Sequence, residues 1–318
     1  MTIVCTGSIA YDYLMSFPGY FRDHILPDRL DTISLSFLVD SMVKQRGGTA
    51  PNIAYTLALL GESPMVVGTA GEDFEDYRKF LDQHGVDTTF IKSIPGKFTA
   101  SFFANTDMAN AQIASFYTGA MADAGSVSLR DIPRKRAELV TISPNDPNAM
   151  RQYCEECQEL GIPYLYDPSQ QIVRVDPDDI RIGVLGCESL FVNDYEYQLL
   201  QKHTGLSHST IMEKVKFLVV TLGADGALVY AKENEYKIPV IPTGSIIDPT
   251  GVGDAFRGGF IRGYRLGLDW LTCGQMGSLA AAYCLEQRGT QNHCYTPQEF
   301  VERYRTNFDD MGVLDALL

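Results

Sequence analysis

Residues 248–260 read DPTGVGDAFRGGF. Beyond the glycines, Phe256, Phe260, Tyr264 and Leu268 recur at four-residue steps, so the spacing predicts a helix beginning near Val252 or Gly253. Gly251 and Gly253 then lie in its first turn, where unpaired N–H groups and the helix dipole attract an anion and the missing Cβ lets a phosphate approach. Asp254 stands in the same turn. The helix field favours its charged form, and an ionised carboxylate beside a phosphate is suited to accepting a hydroxyl proton as that oxygen attacks phosphorus. Taken alone, the stretch also reads as a glycine-rich helix start with an ordinary first-turn Asp. Gly258 and Gly259 point to close backbone packing, because each costs about 1 kcal/mol relative to Ala inside a helix.

Outward from this helix, short apolar runs alternate with helical patterns. IVCTGSIA, a helix from Pro51 to Leu60, MVVGTAG, a helix from Phe74 to His84, LVTIS, a helix over 148–160 and PYLYDPS follow one another. SLFVND, a helix over 194–202 and FLVVTLG continue the series, and ADG turns the chain into ALVY. Strand then helix, repeated, predicts an α/β fold: a doubly wound, mainly parallel sheet with helices on both faces. Two stretches break the rhythm. DTISLSFLVD at 31–40 alternates with period two, and FTASFFANTDMANAQIASFY at 98–117 reads as two strands around a polar turn. These predict a small antiparallel β lid within one domain spanning 1–318, built from insertions at about 12–46 and 97–119. Such a sheet would cover the carboxyl ends of the main strands, where open α/β sheets bind ligands; from pattern alone, a decorative edge sheet or a dimer contact is the alternative.

A net charge of −14 argues against a nucleic-acid partner, which would require clustered Lys and Arg. No stretch approaches the roughly 18 apolar residues of a membrane span, and the amino terminus lacks a basic signal-like start, so a cytoplasmic protein with a small-molecule partner is expected. The seven cysteines are irregularly spaced. Cys154 and Cys157, with Met150, Tyr153 and Leu160, fit the buried face of a helix rather than a redox or zinc motif. The chain contains no GxxxxGK[ST], which excludes a P-loop, and GSIAYD at 7–12 lacks the GxGxxG of a dinucleotide site.

DPTGVGDAFRGGF, and GGTAPNIAYTLALLG about 200 residues earlier at 47–61, resemble the two signatures of the ribokinase-like (PfkB) sugar and nucleoside kinases. Within that family, GSIAYDYLMSFPGYF, ISLSFLVD, QIASFYTGAM, DPSQQ and FVNDYE are similar to bacterial adenosine kinases of the actinobacterial type, nearly end to end. The resemblance implies transfer of the ATP γ-phosphate to the ribose 5′-hydroxyl of adenosine, with Mg2+, a role in purine salvage and a lid over the nucleoside. It implies Asp254 as the base and Gly251, Val252 and Gly253 as the anion hole. Ser8, Asp12, Ser36, Gly47, Gly48 and Asn52 would hold the ribose, a carboxylate suiting vicinal hydroxyls because it accepts two hydrogen bonds.

Phe102 and Phe116 would clamp the purine, while Gln170 and Gln171 would meet its edge. Read locally, the same residues are lid packing and a solvated loop. Asn193 and Glu196 match the family's NxxE element for magnesium and phosphate, and they equally form a capping box at a helix start. Thr221, Gly223 and Gly226 would line the ATP site, or make a simple β-turn. Asp248 would help hold a monovalent cation such as K+. Arg174 is the candidate for further positive charge at the phosphoryl group, and Arg257 reads as a surface charge on its helix.

Alternatives remain open. One is a sugar kinase of the ribose or fructose class, or another nucleoside kinase. Another is a non-catalytic nucleotide-binding protein. The absence of Arg and Lys from 98–117 favours a neutral, stacking acceptor over a phosphorylated sugar. Exposed lid edges make a homodimer the expected assembly.

Overall fold

The computed structural model describes residues 2–25, 31, 34–309 and 311–318. Its strands are β1 (Thr2–Thr6), β2 (Ala10–Ser16), β3 (Ser41–Gly47), β4 (Met65–Ala70), β5 (Asp87–Ser93), β6 (Ala100–Thr106) and β7 (Gln112–Tyr117). The second half adds β8 (Ala137–Ile142), β9 (Tyr164–Tyr166), β10 (Ser189–Asn193), β11 (Phe217–Thr221), β12 (Ala227–Ala231) and β13 (Asn234–Ile238). The helices are α1 (Thr49–Leu59), α2 (Glu75–Gln83), α3 (Pro147–Leu160), α4 (Pro177–Gly186), α5 (Asp194–Thr204), α6 (His208–Met212), α7 (Val252–Arg265), α8 (Trp270–Leu285) and α9 (Pro297–Asn307).

Nine strands form the main sheet in the order β13-β12-β11-β10-β9-β8-β1-β4-β5. It is parallel from β5 to β11, and the hairpin strands β12 and β13 close it antiparallel. Successive side chains of a strand point to opposite faces, and β1 shows the result. Val4 packs into a core with Met150, Tyr153, Cys154 and Cys157 of α3, while Ile3 and Cys5 pack on the other side with Ile53 and Leu57 of α1 and Phe256 and Phe260 of α7. Burial pushes the Cys154 thiol up to about 12, so this pair is core.

Local chemistry sets the helix ends. The Asp146 carboxylate accepts from the amides of Asn148 and Ala149 to start α3, with Pro147 in its first turn, and Gly161 stops that helix in the left-handed conformation. Gly258 and Gly259 bring α7 against its neighbours: a Cβ at these positions would lie 2.6 Å from Thr56 Cβ of α1 and 2.5 Å from the Met276 carbonyl of α8.

The small sheet has the order β3-β2-β6-β7. Its outer pairings are antiparallel, and the central β2–β6 pair is parallel. The two strands expected in 98–117 are β6 and β7. The strand expected at 31–40 is not there: residues 34–39 carry no ladder, and Thr32 and Ile33 lie outside the described residues. The ladder with β2 starts at Ser41, opposite Ser16. Phe37 instead joins an aromatic cluster with Phe17, Phe21 and His24, and Leu38 is exposed. The period-two pattern in this stretch therefore reflects one anchoring ring, not a buried sheet face.

Candidate active site

β1 is the point where the chain order of the main sheet reverses, with β4 on one side and β8 on the other. Ligands bind beyond the carboxyl ends of the strands at such a point. A cavity of about 430 Å³ opens there, and Ser8, Asp12, Gly48, Asn52, Phe102, Phe116, Gln170, Gln171, Arg174, Gly251 and Asp254 all line it. A second cavity, of about 550 Å³, is lined by Thr221, Gly223, Gly226, Val252 and Gly253 among others. The first turn of α7 lies between the two.

The small sheet supplies one side of the first cavity along a single rung. Gln45, Asp12, Phe102 and Phe116 are register partners across β3, β2, β6 and β7. Paired residues of adjacent strands share a face, so one rung presents a carboxylate and two aromatic rings together. Gly47 lies beside this rung rather than in the lining, and a Cβ on it would sit 2.6 Å from Asp12 Oδ2. Ser36 lies exposed in the segment before β3 and does not line the cavity.

Gly251 caps α7 with φ 77°, a conformation that favours glycine, and a Cβ there would strike Thr290 at 2.7 Å. Asp254 follows in the first turn. Its Oδ2 accepts from Asn52 Nδ2 at 2.8 Å, and Gln291 Nε2 donates to Asn52 Oδ1 at 2.7 Å, which fixes the amide's orientation. No hydrogen bond reaches Asp254 Oδ1 among the described residues. Burial raises the Asp254 carboxyl above its ordinary value, opposed by Arg257 and by the Asn52 hydrogen bond. Burial thus outweighs the helix field in this structure and moves the group towards the basicity a proton acceptor needs near neutral pH. Asp12 is pushed up to about 7 by burial and by the charges of Asp248 and Asp254.

Asn193 and Glu196 form the capping box of α5. Asn193 Oδ1 accepts from the Glu196 amide at 2.7 Å, and Glu196 Oε2 accepts from the Asn193 amide at 2.8 Å. Glu196 Oε1 also accepts from Ser169 Oγ at 3.0 Å. Neither residue lines the two cavities, and no group of three or more His, Cys, Asp or Glu able to hold a metal occurs among the described residues. Asp248 Oδ1 accepts from the Thr250 amide and its Oδ2 from the Gly289 amide, both at 2.9 Å, tying the signature loop to the segment after α8.

Arg257 is not a surface charge. Its side chain is 12% exposed and lies 2.7 Å from Asp167, which is 5% exposed. Sequence reasoning also missed Thr290 and Gln291: they lie in a segment without periodicity that reaches the site only because α8 packs along α7.

A doubly wound sheet, a small sheet over its carboxyl edge and a glycine-flanked Asp between two cavities define a ribokinase-like kinase. The model of the pfkB family of carbohydrate kinases matches residues 12–298, and the chain belongs to that family. It is similar to the nucleoside kinase of Burkholderia thailandensis in complex with inosine, with 35% identity and a TM-score of 0.86 over 96% of this chain and 98% of that one. It is 29% identical to a nucleoside kinase of Methanothermobacter thermautotrophicus over 95% of both chains. The nucleoside kinase of Methanocaldococcus jannaschii superposes with a TM-score of 0.87 at 26% identity, covering 96% of this chain and 98% of that one. These relatives are named for nucleosides in general, not for adenosine.

Proposed function

We propose that this protein is a nucleoside kinase that transfers the ATP γ-phosphoryl group to the ribose 5′-hydroxyl. The observation that carries the reading is the junction at α7: Gly251 and Asp254 line one cavity while Val252 and Gly253 line the other. One helix turn thus faces an acceptor and a donor site. As the 5′ oxygen bonds to the γ-phosphorus, the bond to the β–γ bridging oxygen breaks and its electron pair leaves with ADP. The hydroxyl proton passes to Asp254 Oδ1, and the α7 amides stabilise charge on the transferring group.

In the acceptor cavity Asp12 receives the ribose hydroxyls, and Phe102 and Phe116 hold the base. A flat, neutral base stacks on such rings, whereas a free sugar leaves them unused. Adenosine, giving AMP, is the proposed acceptor, with the amides of Gln170 and Gln171 offering the paired donor and acceptor that adenine complements. Arg174 favours a second reading. It lines the same cavity, its guanidinium makes no hydrogen bond or ion pair among the described residues, and it can only donate, so it suits the O6 and N7 of a 6-oxopurine such as hypoxanthine.

The residues fit Mg2+ only at second hand: Asn193 and Glu196, engaged with each other, would face it through water while ATP phosphates hold it, and the ion would neutralise phosphate charge. Asp248, with both oxygens on backbone amides, is the remaining candidate beside a monovalent cation. The small sheet acts as the lid. Edge strand β7 exposes Ile113 and Tyr117, which suits pairing with a second copy, to be tested by light scattering. No described helix is long and apolar enough to cross a membrane. With ATP as its donor the enzyme works in the cytoplasm, returning nucleosides to the nucleotide pool.

ADP release from MgATP, measured with adenosine, inosine, guanosine, cytidine, ribose, fructose and no acceptor, tests the reading. Fast turnover on nucleosides supports it, with the adenosine-to-inosine ratio choosing between the substrates. Preference for a free sugar, or no turnover at all, overturns it.

A further inference from the structure

The acceptor and donor cavities meet at a place where this chain has no P-loop lysine, yet the site already contains Asp254. The buried cation nearest that turn is Arg257, one helical turn beyond Gly253. Arg257 Nη2 donates to Asp167 Oδ1 at 2.8 Å, and Nε lies 2.7 Å from Oδ2. One guanidinium nitrogen is thus hydrogen-bonded to this carboxylate and a second lies in ion-pair contact with it without making a hydrogen bond; Asp167 follows β9, and its amide donates to the Ile142 carbonyl at 2.9 Å.

The third nitrogen lies against the first turn of α7, beside rather than within the lining of the two cavities. A Cβ built on Gly253 would lie 2.8 Å from Arg257 Nη1, so Nη1 rests directly over the glycine whose position lines the donor cavity. No hydrogen-bond partner for Nη1 occurs among the described residues. Burial works against the charge of the guanidinium, and the Asp167, Asp254 and Glu196 carboxylates together outweigh it and keep the group charged.

A buried ion pair is a weak source of stability compared with apolar side chains of the same volume, because desolvation offsets most of the attraction. Nη1, which the Asp167 carboxylate does not engage, lies beside the turn where phosphoryl charge would develop. We propose that Arg257 contacts the transferring γ-phosphoryl group through Nη1 and stabilises its charge in the transition state, with Asp167 as the residue that positions it. Arg174, exposed in the base region, is then free for the nucleoside. The bonds made and broken are those of the transfer described above; Arg257 exchanges no proton, and Asp254 remains the acceptor.

The inference rests on the nucleoside-kinase reading, and the experiment separates the two. Wild type, Arg257→Gln, Arg257→Lys, Asp167→Asn and the Asp167→Asn/Arg257→Gln double variant are compared by kcat, nucleoside KM, melting temperature, and calorimetric binding of MgATP and MgADP. Loss of one preorganised donor to transition-state charge lowers kcat about 10²–10³-fold. Arg257→Gln is expected to show that loss with nucleoside KM within about threefold of wild type, and to weaken MgATP at least fivefold more than MgADP, because only ATP carries the contacted group. Arg257→Lys should recover part of kcat, and Asp167→Asn should lose about tenfold while Arg257 keeps its charge. Should Arg257→Gln fail to fold around an unpaired Asp167, the double variant removes both charges and carries the same expectation. A folded variant lacking Arg257 with kcat within threefold of wild type, or with ATP and ADP weakened equally, overturns the role given to Arg257 while leaving the kinase reading intact. A wild type inactive on every acceptor overturns both.

Discussion

Asn52 donates its side-chain amide to Asp254 Oδ2 at 2.8 Å, joining residues from α1 and α7 that are 202 positions apart. The bond leaves Oδ1 without a hydrogen bond among the described residues. It also stabilises the charged carboxylate, so Asn52 and burial pull the Asp254 pKa in opposite directions. Asn52→Ala should therefore raise that pKa further and move the acidic limb of the kcat/KM profile to higher pH, with kcat lowered about tenfold. An unmoved limb would mean that the hydrogen bond does not set the base.

Removing the carboxylate is the stronger test. Asp254→Asn, correctly folded, should lose at least the roughly 10²-fold expected for a general base, with nucleoside affinity largely kept. Initial rates together with equilibrium nucleoside binding separate the two effects.

Asp12 carries a pH signature of its own. Its folded pKa of about 7 lies above the ordinary value of 3.8, so its contribution to stability is fully present below about pH 4 and is lost as pH rises through about 7. Asp12→Asn should thus raise the melting temperature at pH 8 and change it little at pH 4. Nucleoside KM should respond in the opposite sense: in wild type it falls as Asp12 ionises above pH 7, and in the variant it is higher and flat. A wild-type KM that is independent of pH between 6 and 8 would detach Asp12 from the ribose.

Phe102 and Phe116 are predicted to act on the base alone. Stacking is worth about 1–3 kcal/mol per base, so either Ala variant should raise KM for nucleosides roughly tenfold or more without changing any residual turnover of ribose. Arg174→Gln should shift the inosine-to-adenosine ratio of kcat/KM towards adenosine by about tenfold, the scale of one good bidentate contact.

Gly259→Ala tests the packing that delivers α7. The new methyl would meet the Met276 carbonyl at 2.5 Å, and forced overpacking costs about 1–3 kcal/mol, or several degrees of melting temperature. A melting curve like that of wild type would show that the two helices can separate freely.

Much of this protein is local and therefore legible from the chain. The strand and helix series, the start of α7, the glycine contacts and the capping box at Asn193 follow from side-chain period and backbone chemistry, interactions that reach at most a few residues. The motif residues also converged: Ser8, Asp12, Asn52, Phe102, Gln170 and Asp254 line one cavity. The strand placed at 31–40 failed because alternation marks a face without naming its partner, and Phe37 found rings where a sheet had been expected. Ser36 lies in the same segment and does not line the cavity.

What only tertiary structure decided are the relationships between distant segments. A lone arginine one turn past a glycine looks solvated until β9 delivers Asp167 to it, and no spacing rule links positions 167 and 257. Gln291 acts on Asp254 only through Asn52, across α8, α1 and α7. Local sequence determined the elements and the place of Gly251, Gly253 and Asp254 at the start of α7, because hydrogen bonds within a helix turn need no partner from elsewhere. Packing decided which charges are buried, which oxygen of Asp254 accepts from Asn52 and that Arg257 pairs with Asp167, because desolvation and long-range pairing exist only once the sheet has brought those ends together.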